Sequence, residues 1–116
     1  IPLGRQRRDE YVHQLQAFQK KGGSRDEQLL EILLVNALIE ARSCERFRLL
    51  SLHVSEDYLK KFYHEFMVSE AGHYKMFLNL AYEYMPEEVV KKRWAEYLDH
   101  EAKIIKNLEW RSDRVH

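Results

Sequence analysis

One cysteine, two prolines and four glycines are scattered through 116 residues. The single cysteine, Cys44, excludes an internal disulfide and fits a reducing compartment, the cytoplasm. So few prolines and glycines leave little of the chain for loops. No apolar run approaches the ~18 residues of a membrane span, and no signal peptide is visible, so no membrane partner is expected. Charge of one sign is also lacking: 19 basic side chains face 19 acidic ones. The global balance therefore predicts no polyanion partner, and any nucleic-acid surface must be a local patch. The chain starts Ile1-Pro2-Leu3 without Met, which reads as an excised or processed piece with something missing in front.

What is present is enough apolar material for a core, 45% hydrophobic residues in one domain spanning 1–116, arranged with helical periodicity. A first helix is expected from Arg5 to Lys21, with Tyr11, Val12, Leu15 and Phe18 on one stripe and Gly22-Gly23 stopping it. Ser24 and Glu27 form a capping box for a second helix, about Arg25 to His53, whose stretch Leu29 to Ile39 is apolar nearly all round. A third helix starts near Ser55 as N-cap and runs to about Tyr84. Met85-Pro86 breaks it, and Pro86 suits the first position of a fourth helix, Glu87 to about Trp110. Arg111 to His116 is polar and expected to fray. No strand pattern is visible.

Within the third helix, Glu70 and His73 are three residues apart and share a face. That face is otherwise apolar, with Leu59, Phe62, Tyr63, Phe66 and Met67 before the pair and Phe77, Leu80, Ala81 and Tyr84 after it. A carboxylate and an imidazole aimed into a core need a partner, because unpaired buried charge is costly. Glu-x-x-His on a bundle helix is the ligand pattern of di-iron and di-manganese carboxylate proteins. The alternative is a salt-bridged Glu beside a core His. Glu10 and His13 repeat the spacing, but their face carries Gln14, Ala17 and Lys21 and reads as surface.

The second and third helices are joined by a very short connection, so they pack antiparallel and heights can be counted. Glu40 lies 13 residues before His53 and Glu70 lies 15 after Ser55. The difference of two residues is roughly 3 Å. Glu45 lies eight before His53, displaced by about seven residues or roughly 10 Å. Glu40 also falls in line with Leu29, Leu33, Ala37, Cys44 and Phe47, whereas Glu45 shares its stripe with Arg48. Glu40 is thus the preferred third ligand. Glu45 is the alternative, or a group orienting a ligand, or an ion-pair partner of Arg42, Arg46 or Arg48. Cys44 reads as a buried filler, and Tyr63, Tyr74 and Tyr84 as core aromatics.

The run Ile39-Glu40-Ala41-Arg42-Ser43-Cys44-Glu45-Arg46-Phe47, followed by Ser69-Glu70-Ala71-Gly72-His73-Tyr74, resembles the MiaE family of tRNA hydroxylases. The resemblance spans roughly Leu29 to Tyr84. It implies an all-α, ferritin-like helical bundle with a non-haem di-iron centre. Its cofactors would be two iron ions, with O2 as co-substrate and an external electron donor. The substrate would be the isopentenyl group of 2-methylthio-isopentenyl-adenosine next to the tRNA anticodon. Glu70 and His73 match the family's second Glu-x-x-His, and Glu40 or Glu45 its preceding lone Glu. The family's first Glu and first Glu-x-x-His have no counterpart here, so the chain would be the C-terminal portion of the domain, carrying half a site. The other half would come from a missing N-terminal helix pair, from a second chain, or from a second copy in a twofold dimer. Binding of tRNA would need a basic rim, with Arg5, Arg7, Arg8, Lys91, Lys92 and Arg93 the exposed candidates. The competing reading is a ferritin-like metal-binding or structural helical module without oxygenase activity.

Overall fold

A computed structural model describes the backbone of residues 5–115 and the side chains of residues 8–109. Four helices follow one another: α1 (Arg5–Ala17), α2 (Arg25–His53), α3 (Asp57–Tyr84) and α4 (Glu87–Val115). No strand occurs among the described residues, and no helix there is long and apolar enough to cross a membrane. The fold is an all-α helical bundle.

The capping box opens α2: Ser24 Oγ accepts from the Glu27 N–H at 3.1 Å, and Glu27 Oε1 accepts from the Ser24 N–H at 3.1 Å. Gly22 and Gly23, at φ +82° and +83°, take the left-handed turn ahead of it, which a side chain would strain. Other ends depart from the sequence expectation. Helix α1 stops at Ala17, not Lys21, because tertiary bonds pull the chain off the helix axis: the Phe18 carbonyl accepts from Arg93 and the Lys20 N–H donates to Glu31. Helix α3 begins one residue late, with Glu56 rather than Ser55 as the cap and no side-chain capping bond. Pro86 precedes α4, its carbonyl accepting from the Val90 N–H, so it caps the helix and is not its first residue. The backbone of α4 stays helical through Val115, past Trp110.

Helices α2 and α3 form a long antiparallel hairpin. Helix α4 runs parallel to α2, as Glu31 meets Arg93 and Arg42 meets Glu101, and α1 runs back against both. The core gathers on the first half of α2: Leu30, Leu33, Leu34, Val35 and Leu38 pack with Tyr11 and Leu15 of α1, Ala81 of α3, and Val90, Tyr97, Ile104 and Leu108 of α4. Beyond that, the hairpin is covered on one side only. The Cα extents are 48 × 35 × 19 Å, and the shortest equals about two helix diameters. The apolar face of α3 is therefore not in the core as expected. Phe62, Phe66 and Tyr84 are exposed, and Ala81 is the one fully buried residue of α3.

Two buried polar networks clamp the layers. Glu31, 4% exposed, receives two hydrogen bonds from the Arg93 guanidinium (2.6 and 2.8 Å), one from Tyr97 Oη (2.8 Å) and one from the Lys20 N–H (2.8 Å). Arg93 lies over the Phe18 and Tyr97 rings at 4.5 and 4.6 Å and is 6% exposed. It is thus an internal strut, not part of a basic rim: its charge would be stranded without Glu31. In the second network, Glu101 accepts from Tyr11 Oη and pairs with Arg42 at 3.1 Å. Burial, then the hydrogen bond to Glu101, pushes the Tyr11 hydroxyl well above its usual range, so it stays protonated as a donor.

Burial pushes the Glu31 carboxyl up, but Arg93, the Lys20 N–H and Tyr97 outweigh it and hold the group below its ordinary 4.5. Its contribution to stability is therefore complete above about pH 4.5 and lost as the pH falls through the lowered value. Arg93→Ala is expected to cost about 3–5 kcal/mol at pH 7, measured by urea unfolding, because it strands a buried carboxylate. Glu31→Gln should also destabilise at pH 7, and its gap from wild type should close in acid. A gap unchanged from pH 7 to pH 3 would show that the carboxylate is not the stabilising form.

Candidate metal centre

Midway along the hairpin, α2 and α3 bring three donors together. One carboxylate oxygen each of Glu40 and Glu70 and a ring nitrogen of His73 all lie within 4.8 Å of one another. His73 Nδ1 is 3.8 Å from Glu40 Oε2 and 3.9 Å from Glu70 Oε1. Those separations exceed hydrogen-bond range. The three groups face a common point without satisfying one another.

The register explains the meeting. The helices cross back over a three-residue connection, Val54 to Glu56, and each residue rises about 1.5 Å. Cys44 Sγ donates to the Met67 carbonyl at 3.5 Å, and Phe47 packs on Phe66 and Tyr63 at ring distances of 5.3 and 6.2 Å. These contacts lock the same register that sets Glu40 level with Glu70. Burial, then the Glu45 charge, raises the Cys44 thiol above its usual value, which keeps it protonated and fits a packing role.

Glu45 lies apart. Its carboxylate takes two hydrogen bonds from the Arg48 guanidinium, at 2.7 and 3.2 Å, and lines a cavity of about 270 Å³ with Arg42, Tyr74, Trp94, Leu98 and Glu101. Tyr74 packs near Trp94 at 6.1 Å, and Tyr63 is half-buried against Phe47 and Phe62. Tyr84, expected in the core, is exposed. Glu10 accepts from Gln14 Nε2 at 2.8 Å, and His13 is exposed, as a surface copy of the motif would be.

Two properties bear on whether a cation suits the cluster. Glu40 Oε2 is buried and has no hydrogen-bond partner, one of two such side-chain atoms among the described residues; the other is Arg42 Nε. An anionic oxygen in that position lacks compensation that a cation would provide. The donor set, two carboxylates and one imidazole, is the type that hard or borderline ions such as iron and manganese take. His73, however, is half-exposed, its side chain 52% accessible, where the sequence expectation had it aimed into a core. Nothing among the described residues covers that side.

The buried charges Glu31, Arg93 and Glu101, and the half-buried Arg42, escaped the sequence reading as partners. Their signals were present: Glu31 is a lone carboxylate inside an apolar run, and Glu101 falls on the apolar stripe of α4. Pairing them required knowing which helices touch. Of the proposed basic rim, Arg8, Lys91 and Lys92 are exposed, with Lys91 bound to Glu87 at 2.6 Å. The side chains of Arg5 and Arg7 lie outside the described ones.

In metal-free protein, Glu40→Gln is expected to stabilise the fold by on the order of 1 kcal/mol, because the amide removes a charge and adds donors facing Glu70. Thermal melting after chelation measures this. A lower melting temperature would mean that the Glu40 carboxylate already has a compensating partner.

The chain was compared with known proteins. All of residues 1–116 match the family described as tRNA-(MS[2]IO[6]A)-hydroxylase (MiaE). A protein of Pseudomonas putida named tRNA 2-(methylsulfanyl)-N(6)-isopentenyladenosine(37) hydroxylase is 51% identical over 59 residues, 51% of this chain and 28% of that protein. A protein of the same name from Salmonella typhimurium is 44% identical over 61 residues, 53% of this chain and 22% of that protein. The matched stretch thus spans about a quarter of each relative. No solved structure matches the chain.

Proposed function

The chain belongs to the MiaE family, and from that premise we propose that it forms part of a tRNA hydroxylase acting on the isopentenyl group of 2-methylthio-isopentenyl-adenosine. The observation that carries this reading is the convergence of Glu40, Glu70 and His73 in a chain matched along its whole length by that family. The cluster corresponds to half of the ligand set of a di-iron carboxylate bundle, in which two helices each give a Glu and two others each give Glu-x-x-His. In this reading, a second Glu and Glu-x-x-His, from helices outside the described residues or from another chain, cover the exposed face of α3 and complete the centre. The exposed rings of Phe62 and Phe66 then become core. The domain would be ferritin-like, the setting cytoplasmic with its tRNA, and the electrons supplied by an external donor.

Two bound irons would supply the activation of dioxygen and the insertion of one oxygen atom into a C–H bond of the prenyl group. The chain's own residues have three tasks. Glu40 and Glu70 would offer carboxylate oxygens to hold the metal, and His73 an imidazole nitrogen. Phe47, Tyr63 and Phe66 form an apolar wall along the hairpin beside the cluster, which excludes water and suits an apolar prenyl chain. The Glu31–Arg93 and Arg42–Glu101 pairs hold α2 against α4, and the contacts of Cys44 and Phe47 with α3 keep Glu40 at the height of its partners.

The test is iron content by elemental analysis, together with oxygen-dependent hydroxylation followed by mass spectrometry of tRNA nucleosides, in the complete protein. Glu70→Ala and His73→Ala are expected to lose iron and to lower turnover at least 100-fold, the upper end of what altered metal shells cost. Glu45→Ala should retain iron, because that carboxylate is committed to Arg48. A complete protein that holds no iron and is indifferent to Glu70→Ala would favour the structural-module reading. Iron without tRNA hydroxylation would favour metal binding alone.

A further inference from the structure

The second half of α2 carries three arginines beyond the cluster's own height, and two of them are neutralised. Arg42 pairs with Glu101, and Arg48 with Glu45. Arg46 has no ion-pair or hydrogen-bond partner among the described residues. It is half-buried, with its guanidinium 5.3 Å from the centre of the Phe47 ring. The charge that acts on it is of its own sign.

That charge is Arg8, on α1. Helix α1 runs antiparallel to α2, with Tyr11 beside the Arg42–Glu101 pair. Arg8 is one turn before Tyr11 and Arg46 one turn after Arg42, so the two guanidinium groups come to the same height on adjacent helices. Burial, then the charge of Arg8, lowers the Arg46 pKa, as expected of like charges held together. Arg8 is exposed and likewise unpaired among the described residues. In a chain of zero net charge, two arginines without carboxylate partners at one height make a local positive patch.

Each guanidinium offers a planar fork of N–H donors of the kind that binds a phosphate diester, and the two residues stand at one height on neighbouring helices. Arg46 follows Glu40 by six residues, roughly 9 Å along the axis, and on a neighbouring face of α2. An anion held there lies beside the metal cluster without entering it.

We propose that Arg8 and Arg46 form a clamp for a backbone phosphate of the RNA substrate, holding the strand while the modified base reaches the Glu40–Glu70–His73 cluster. The proposal rests on the tRNA reading above. A phosphate contact positions the strand and carries no sequence information. The clamp is therefore blind to the base modification.

The test is binding of tRNA to the iron-loaded complete protein between 0.05 and about 0.3 M salt, with prenylated and with unmodified tRNA. Arg46→Gln and Arg8→Gln are each expected to weaken binding about tenfold at 0.15 M salt. Each should reduce the slope of log K against log salt by roughly 0.7–0.9. The loss should be equal for the two tRNAs. Lys103→Gln, which removes an exposed charge already paired with Asp99 at 3.1 Å, should change neither quantity. Arg8 is exposed, so its variant tests the clamp without disturbing the core, and Arg46→Gln should melt no lower than wild type because it parts like charges. Wild-type binding with variants of unchanged affinity and slope would overturn the clamp alone. A loss confined to prenylated tRNA would also overturn it, because the arginines would then be reading the base. Failure of the wild type to bind either tRNA would overturn the clamp and the tRNA reading together.

Discussion

The antiparallel register of α2 against α3 governs what this chain can do. A connection of three residues leaves little freedom in how the helices slide past each other, and the ring contacts of Phe47 with Phe66 and Tyr63 remove what remains. From that register follows the height of Glu40 relative to Glu70 and His73, and so the convergence of three donors contributed by two helices. A slip of one residue would rotate Glu40 about 100° away from its partners. The packing of two helices thus decides whether a cluster exists at all.

The two ends of the hairpin are held by different physics. At the start of α2, three other helices bury its aliphatic face, and the Glu31–Arg93–Tyr97 network crosses that core with its donors and acceptors matched. Matching matters because a buried charge without a partner costs more than the pair returns. Toward the tip the apolar face of α3 is left uncovered, and aromatic side chains reach solvent. The cluster sits in this thinner part, where an orphaned carboxylate oxygen and a half-exposed imidazole coexist. Stability is concentrated in one half of the molecule and chemical potential in the other.

Charge shows the same division. Nearly every arginine near the core has a carboxylate in reach: Arg93 has Glu31, Arg42 has Glu101, Arg48 has Glu45. Against that pattern the Arg8–Arg46 pair stands out, as does Glu40 Oε2. Both are charges of one sign without compensation. Arg46 and Glu40 lie beyond Leu38, the last fully buried residue of α2, and Arg8 stands at the height of Arg46 on α1.

Much of this was legible in the residues themselves. Helical periodicity, the Ser24–Glu27 capping box and the break at Met85-Pro86 are local, and each is decided by residues within one turn of one another, so four helices and the antiparallel hairpin could be read directly. The choice of Glu40 over Glu45 as the residue beside Glu70 and His73 was also legible, because rise per residue is constant along a helix. Tertiary structure alone decided the rest. Arg93 looks like any exposed lysine or arginine of α4 until Glu31, 62 residues away, is placed against it. The apolar stripe of α3 announces a buried face, but whether something covers it depends on which helices pack there. Helix α1 ends early because partners on α2 and α4 claim the Phe18 carbonyl and the Lys20 N–H. Periodicity records what a helix needs to bury, and only the packed structure says which neighbour meets that need.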